Sequence, residues 1–111
     1  MRVRIRGETA EMNDQVRDHA DRMVRFTMGR FAGAVEDVSL LLEELGKHSS
    51  GTVFRCRVSV RLVPRGHVTV RNEDGEASAA VDGALERAER AVQRRLIFVG
   101  HGSPPSGETN R

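Results

Sequence analysis

Residues 53–63 read VFRCRVSVRLV and decide the fold class of this chain. Apolar and polar residues alternate along the stretch, which predicts a β-strand whose side chains divide between two faces. One face carries Phe54, Cys56, Val58, Val60 and Leu62, and the other carries Arg55, Arg57, Ser59 and Arg61. Because only one face is apolar, we expect this strand to lie in a sheet that packs one side on a core and leaves the other in water.

Three further strands are predicted around this one. Residues 2–6 and 67–72 alternate in the same way, and residues 35–45 place Val38, Leu40 and Leu42 on one face. Residues 46–51, GKHSSG, predict a flexible hairpin loop, and residues 64–66, PRG, predict a turn.

Two amphipathic helices complete the pattern. Asn13 is a good N-cap, and apolar residues then recur at helical spacing from position 16 to position 31. We expect Gly33 to end this helix. A second helix over residues 77–96 buries Ala77, Val81, Leu85, Ala88, Val92 and Leu96. Phe26 and Met28 lie off the first helix's apolar stripe, which suits the edge of a core or an interaction surface.

The predicted order β-α-β-β-β-α indicates an α+β fold: a four-stranded mixed sheet with two helices on one face. The first β-α-β unit should give a parallel pair of strands, and the last three strands should form an antiparallel meander. A chain of 111 residues suits one domain. We assign that domain to residues 1–99 and expect residues 100–111 to form a disordered tail.

Composition excludes several classes of protein. Hydrophobic residues make up 38% and charged residues 31%, a balance typical of a soluble globular domain. No apolar run approaches the roughly 20 residues that span a bilayer. The start of the chain lacks the apolar segment of a signal peptide, and the single Cys56 suits a reducing cytoplasm, so we expect a cytoplasmic protein.

The residues that usually carry chemistry are dispersed. His19, His48, His67 and His101 fall on four different elements without metal-ligand spacing, and Cys56 falls on a buried strand face, where a structural thiol is expected. We therefore expect no catalytic site, no metal and no cofactor.

The distribution of arginine is the most informative feature of the chain's charge, although the net charge is only +2. The uncovered sheet face is predicted to carry Arg2, Arg4, Arg6, Arg55, Arg57, Arg61 and Arg71. On the second helix, Arg87, Arg90 and Arg94 form a basic stripe at i, i+3 and i+7. Such cations could each contact a nucleic-acid phosphate.

Ordinary solvated faces explain the same pattern equally well. Asp37 and Glu43 are predicted on the strand between the arginine-rich ones, where cross-strand ion pairs would neutralise part of the charge. Likewise, Glu86 and Glu89 could pair with Arg90 and Arg94. Charge pattern alone leaves both interpretations open.

The ordered motifs resemble the family of ribosome hibernation promoting factors and ribosome-associated inhibitors, also called sigma-54 modulation proteins. Residues 13–20, NDQVRDHA, look like the opening of that family's first helix, and residues 30–31, RF, like its basic-aromatic end. Residues 80–82, AVD, and residues 86–90, ERAER, resemble the second helix. The resemblance covers about residues 1–96 and is nearest to the short single-domain members.

This resemblance implies a fold like that of double-stranded-RNA-binding domains. It also implies binding to RNA of the small ribosomal subunit and inhibition of translation under starvation or stress, without catalysis, membrane or small-molecule substrate. Arg87 and Arg90 match basic positions of the family, and Arg94 falls in the basic stretch that follows. The complete set of candidate RNA-binding residues is Arg4, Arg55, Arg57, Arg61, Arg71, Arg87, Arg90 and Arg94.

A second hypothesis is a protein-interaction or self-associating module that keeps the fold without ribosome binding. It would use the outer strands of the sheet to pair with a partner or a second copy. We expect either a monomer or a weak homodimer.

Overall fold

The computed structural model describes residues 1–48 and 51–97. The elements are β1 (Arg2–Glu8), α1 (Asp14–Met28), a short 3-10 helix (Gly29–Phe31), β2 (Val35–His48), β3 (Gly51–Leu62), β4 (His67–Asp74) and α2 (Ala77–Leu96). The predicted order and the α+β class are confirmed. The predicted tail, residues 100–111, and the domain boundary at residue 99 lie outside the described residues.

One sheet holds all four strands, in the order β1-β2-β3-β4. β1 runs parallel to β2, and Ile5 lies opposite Leu40. β2, β3 and β4 form the predicted antiparallel meander, in which Val58 lies between Leu40 and Val70. This register fixes which side chains lie next to each other on the open face.

The prediction of a flexible loop over residues 46–51 is wrong for its described members. Gly46, Lys47 and His48 belong to β2 and pair with Val53, Thr52 and Gly51 of β3. Gly46 and Gly51 have φ of +132° and +120°, and a register shift lies between Glu44 and Gly46. Glycine meets this irregular strand geometry at no steric cost, so a composition typical of loops here builds a strand end. Ser49 and Ser50 lie outside the described residues.

Both helices pack on the same face of the sheet and enclose one core. The sheet contributes Val38, Leu42, Cys56 and Val58, and α2 contributes Val81, Leu85 and Val92, all fully buried. The burial of the sheet strands alternates as the sequence predicts, so the sheet arginines fall on the opposite, open face.

The prediction that Met28 lies at the edge of the core or on an interaction surface is wrong, because its side chain is fully buried. Ala20, Val24 and Met28 follow one another at four-residue spacing and form one buried row along α1. Phe26 points away from that row and is 80% exposed.

Polar contacts fix the first helix against β1. The Asn13 side chain accepts a hydrogen bond from the backbone N–H of Val16 at 2.9 Å, which confirms the predicted N-cap. Arg17 Nη1 donates to the backbone carbonyl of Ile5 at 2.7 Å. This bond ties α1 to the backbone of β1.

Candidate nucleic-acid interface

Side chains on the open face of the sheet form four rows, because residues paired across neighbouring strands point to the same side. The first row is Arg2, Asp37, Arg61 and His67, and the second is Arg4, Ser39, Ser59 and Thr69. The third row is Arg6, Leu41, Arg57 and Arg71, and the fourth is Glu8, Glu43, Arg55 and Glu73.

The second and third rows form the most basic part of this face. They hold four arginines and no carboxylate. A depression of about 350 Å³, here called the sheet depression, is lined by Arg4, Arg6 and Arg57 around Ser39, Leu41 and Ser59. Guanidinium and hydroxyl donors around a shallow floor suit a phosphodiester oxygen.

The fourth row is acidic, and its Glu43 forms an ion pair with Arg55, so Arg55 is not a free cation. Arg55 Nη2 lies 3.2 Å from Glu43 Oε1, and its Nε donates to the same oxygen at 3.2 Å. Both side chains are about three-quarters buried, so water screens this pair less than an exposed one. The ion pair predicted at Glu43 is confirmed.

The first row holds a looser contact. Asp37 is 7% exposed, and its Oδ1 and Oδ2 lie 3.5 Å and 3.9 Å from Nε of Arg2 and Arg61. These separations allow attraction but exceed good hydrogen-bond distances, and Oδ1 has no hydrogen-bond partner among the described residues. The Arg61 side chain is 60% exposed, so its guanidinium donors face solvent.

The predicted pairing of Glu89 with the arginine stripe of α2 is wrong. Glu89 Oε2 instead lies 3.3 Å from Arg30 Nη2, which also donates to Gln93 at 3.2 Å. The 3-10 helix after α1 brings Arg30 beside α2, where it also lies 4.5 Å above the Phe31 ring. Glu86 makes no ion pair within residues 1–48 and 51–97, so Arg90 and Arg94 keep their charge unpaired there.

A second depression joins α2 to the sheet. This helix groove has a volume of about 360 Å³ and is lined by Thr69, Val70, Arg71, Arg87, Arg90, Ala91 and Arg94. Arg71 also stands in the third row of the sheet, opposite Arg57. The two basic faces predicted separately therefore meet at one residue of the outer strand β4.

We call the combined area the arginine-lined surface; its members are Arg4, Arg6, Arg57, Arg71, Arg87, Arg90 and Arg94. In the part of the chain that the structure describes, none of them has a carboxylate oxygen within 4.0 Å. Six of the eight candidate residues lie on it, whereas Arg55 and Arg61 lie in the rows that contain acids. Arg6 was not among the candidates, although its alternation with Val3 and Ile5 already placed it on this face.

Cys56 is enclosed in the core, and burial raises the pKa of its thiol to about 12. We expect a thiol reagent at pH 8 to leave the native protein unmodified, because the reactive thiolate is scarce and inaccessible. The measurement is labelling followed by mass spectrometry, with the protein in denaturant as the positive control. Rapid labelling of the native protein would contradict this structural role.

Two further features are absent from the described residues, a metal-binding cluster and a membrane-spanning helix. Across residues 1–48 and 51–97, no three His, Cys, Asp or Glu side chains cluster so as to hold a metal ion. Within the same residues, no helix has the length and apolar character needed to cross a membrane.

A family model and solved structures resemble this chain. Residues 3–96 match the family model described as sigma 54 modulation protein / S30EA ribosomal protein. The structure is similar to the Protein Y N-terminal domain of Thermus thermophilus, with 29% sequence identity and a TM-score of 0.69, over 86% of this chain and 99% of that one.

A ribosomal subunit interface protein from Coxiella burnetii shares the fold at 12% identity and a TM-score of 0.69, over 86% of this chain and 97% of that one. Among curated proteins, none matches this chain.

Proposed function

Because this chain belongs to the family of sigma-54 modulation proteins and S30EA ribosomal proteins, we propose that it binds the small ribosomal subunit and inhibits translation. Family membership supports association with the ribosome and accords with a factor that is not an enzyme. We place its action in the cytoplasm, where it would silence ribosomes under stress or in stationary phase.

The observation that carries this proposal is the unpaired state of the arginine-lined surface. Charge pattern left open whether the arginines are neutralised by neighbours, and seven of them have no ion-pair partner among the described residues. Guanidinium groups bind phosphate oxygens in bidentate fashion, and each phosphate contact releases counterions from RNA. Ribosomal RNA supplies such phosphates at high density.

The mechanism we propose is steric. A folded domain held on the small subunit by phosphate contacts would occupy space that messenger or transfer RNA needs, and no bond would be made or broken. The arginines then act by position and charge alone, so inhibition should follow occupancy of the subunit.

Co-sedimentation of the purified protein with small ribosomal subunits tests the proposal. We expect a stoichiometric pellet at low salt that decreases steeply at moderate salt, because counterion release drives binding. Added protein should then inhibit translation in an extract over the same concentration range. Folded protein that stays in the supernatant at low salt would refute the proposal.

Two arginines on the same strand give a matched comparison. Arg57→Gln should weaken subunit binding by about fivefold, because it removes one free cation from the sheet depression. Arg55→Gln should change binding less than about twofold, because Glu43 already engages that guanidinium. The measurement is an equilibrium titration of both variants at low salt. If both variants lost the same affinity for the subunit, the ion pair with Glu43 would not determine how much an arginine contributes to binding.

The alternative is a protein-interaction or self-associating module that pairs through an outer strand, and at β1, one of the two outer strands, one contact opposes it. Arg17 on α1 bonds the carbonyl of Ile5, so its side chain lies against β1 where a second strand would have to approach. Size measurement at two ionic strengths separates the hypotheses, because strand pairing would give a dimer that resists salt.

A further inference from the structure

We propose that a single strand of RNA runs from the sheet depression over the edge of β4 into the helix groove, with Arg71 contacting it at the crossing. The proposal rests on the proposed function in one respect, that the partner is RNA. It goes further by joining two depressions into one site and by naming single-stranded RNA as the occupant.

The first step is the position of Arg71. On the sheet, Arg71 lies directly opposite Arg57, which lines the sheet depression. On the other side, Arg71 lines the helix groove together with Arg87, Arg90 and Arg94. An RNA strand that passes from the sheet depression toward β4 therefore stays close to arginine side chains until it reaches the helix groove.

The second step is the open crossing. β4 is an outer strand, so among the described residues no neighbouring strand blocks the way from the sheet face to α2. Thr69, beside Arg71 on the same face, is a small exposed residue that also lines the groove. Glu73 stands next along β4 and lines an adjoining depression with Arg71 and Arg87. Its carboxylate repels phosphates from that side and confines the strand to the path over Thr69 and Arg71.

The third step is the choice of a single strand over a duplex. Neighbouring strands lie about 4.8 Å apart, so the row from Arg6 to Arg71 spans roughly 14 Å. Arg94 follows Arg87 by seven positions, which is about 10 Å along α2. A path that turns round a protein edge within such distances requires sharp bending. Duplexes resist bending on this scale, whereas an unpaired strand bends freely.

The experiment titrates wild-type protein with a labelled oligouridylate of about twelve nucleotides, a length within the range of known single-strand sites. We expect one strand per protein molecule, and tighter binding than to an RNA duplex of the same length. Two strands per molecule would show that the depressions bind separately, and preference for the duplex would equally overturn the proposal.

Variants test the role of Arg71. Arg71→Gln should weaken oligonucleotide binding by about tenfold, more than Arg57→Gln or Arg90→Gln, because it removes the cation at the junction of the two depressions. In that background, adding both other substitutions should cost less than the product of their single losses. The control is Arg65→Gln, which removes an exposed charge in the β3–β4 turn and should change binding less than twofold.

The outcomes separate this inference from the proposed function. Equal losses for Arg71→Gln and Arg65→Gln, or strictly multiplicative losses, would overturn the single path while leaving ribosome binding intact. Folded wild-type protein that binds neither the oligonucleotide nor small subunits would overturn both.

Discussion

Replacing Arg87 and Arg90 together by glutamate is expected to weaken binding to small ribosomal subunits by at least about 100-fold at low salt. Under the proposed function, each substitution would remove a charge-assisted phosphate contact of roughly 1.5 kcal/mol and add a repelling carboxylate to the helix groove. The dependence of log affinity on log salt should also fall by about one for each lost phosphate contact. Equilibrium binding measured across a series of salt concentrations gives both quantities.

A matched control separates the site from the total charge. Arg22 on α1 and Arg65 in the β3–β4 turn are exposed and lie outside the arginine-lined surface. Arg22→Glu with Arg65→Glu changes the net charge equally and should cost less than about fivefold. Thermal unfolding must show that both double variants fold. If the two double variants lose the same affinity, the net charge and not this surface governs binding.

Replacing Gly7 by alanine is expected to be the most damaging small substitution in the sheet. A Cβ at Gly7 would lie 2.3 Å from Met12 Cβ and 2.4 Å from its Cγ, close to the backbone, where the side chain cannot swing aside. Met12 is 9% exposed and packs in the core over β1. We expect a loss of about 2–3 kcal/mol in the free energy of unfolding, which lowers Tm by roughly 10 °C or more.

Gly29 provides the comparison for that variant. A Cβ there would meet no atom within 4 Å, and the backbone is already helical, with φ −59° and ψ −36°. Gly29→Ala should therefore leave Tm unchanged or raise it slightly, because alanine reduces the freedom of the unfolded chain. Calorimetry of both variants is decisive, and a Gly7→Ala protein within about 2 °C of wild type would disprove the close approach.

The sequence reveals the fold so fully because its signals are local. Alternation along residues 53–63 and the N-cap at Asn13 depend only on near neighbours in the chain, and the structure bears both out. The resemblance to the hibernation-factor family likewise uses short motifs in a fixed order, and membership is confirmed over residues 3–96.

The loop over residues 46–51 was predicted wrongly for a local reason, its positive-φ glycines, whereas other predictions failed because the deciding contact joins distant parts of the chain. Glu89 was expected to pair with an arginine of its own helix, but it pairs with Arg30, which lies 59 positions earlier in the chain. The two basic faces meet at Arg71 because of the register of the sheet and the packing of α2 on β4. The periodicity of the sequence predicts neither of these. The role of the eight candidate arginines in RNA binding stays a prediction.

The acidic fourth row has a consequence for how the protein meets a polyanion. Glu8, Glu43 and Glu73 stand at one end of the open face and four free arginines stand beside them, so opposite charges are separated across this face on a molecule of net charge +2. The small net charge gives only weak overall attraction to RNA, whereas the separated charges turn the molecule when it comes close to RNA. Its rotation would present the arginines before contact, which relieves the orientational penalty that slows most protein associations.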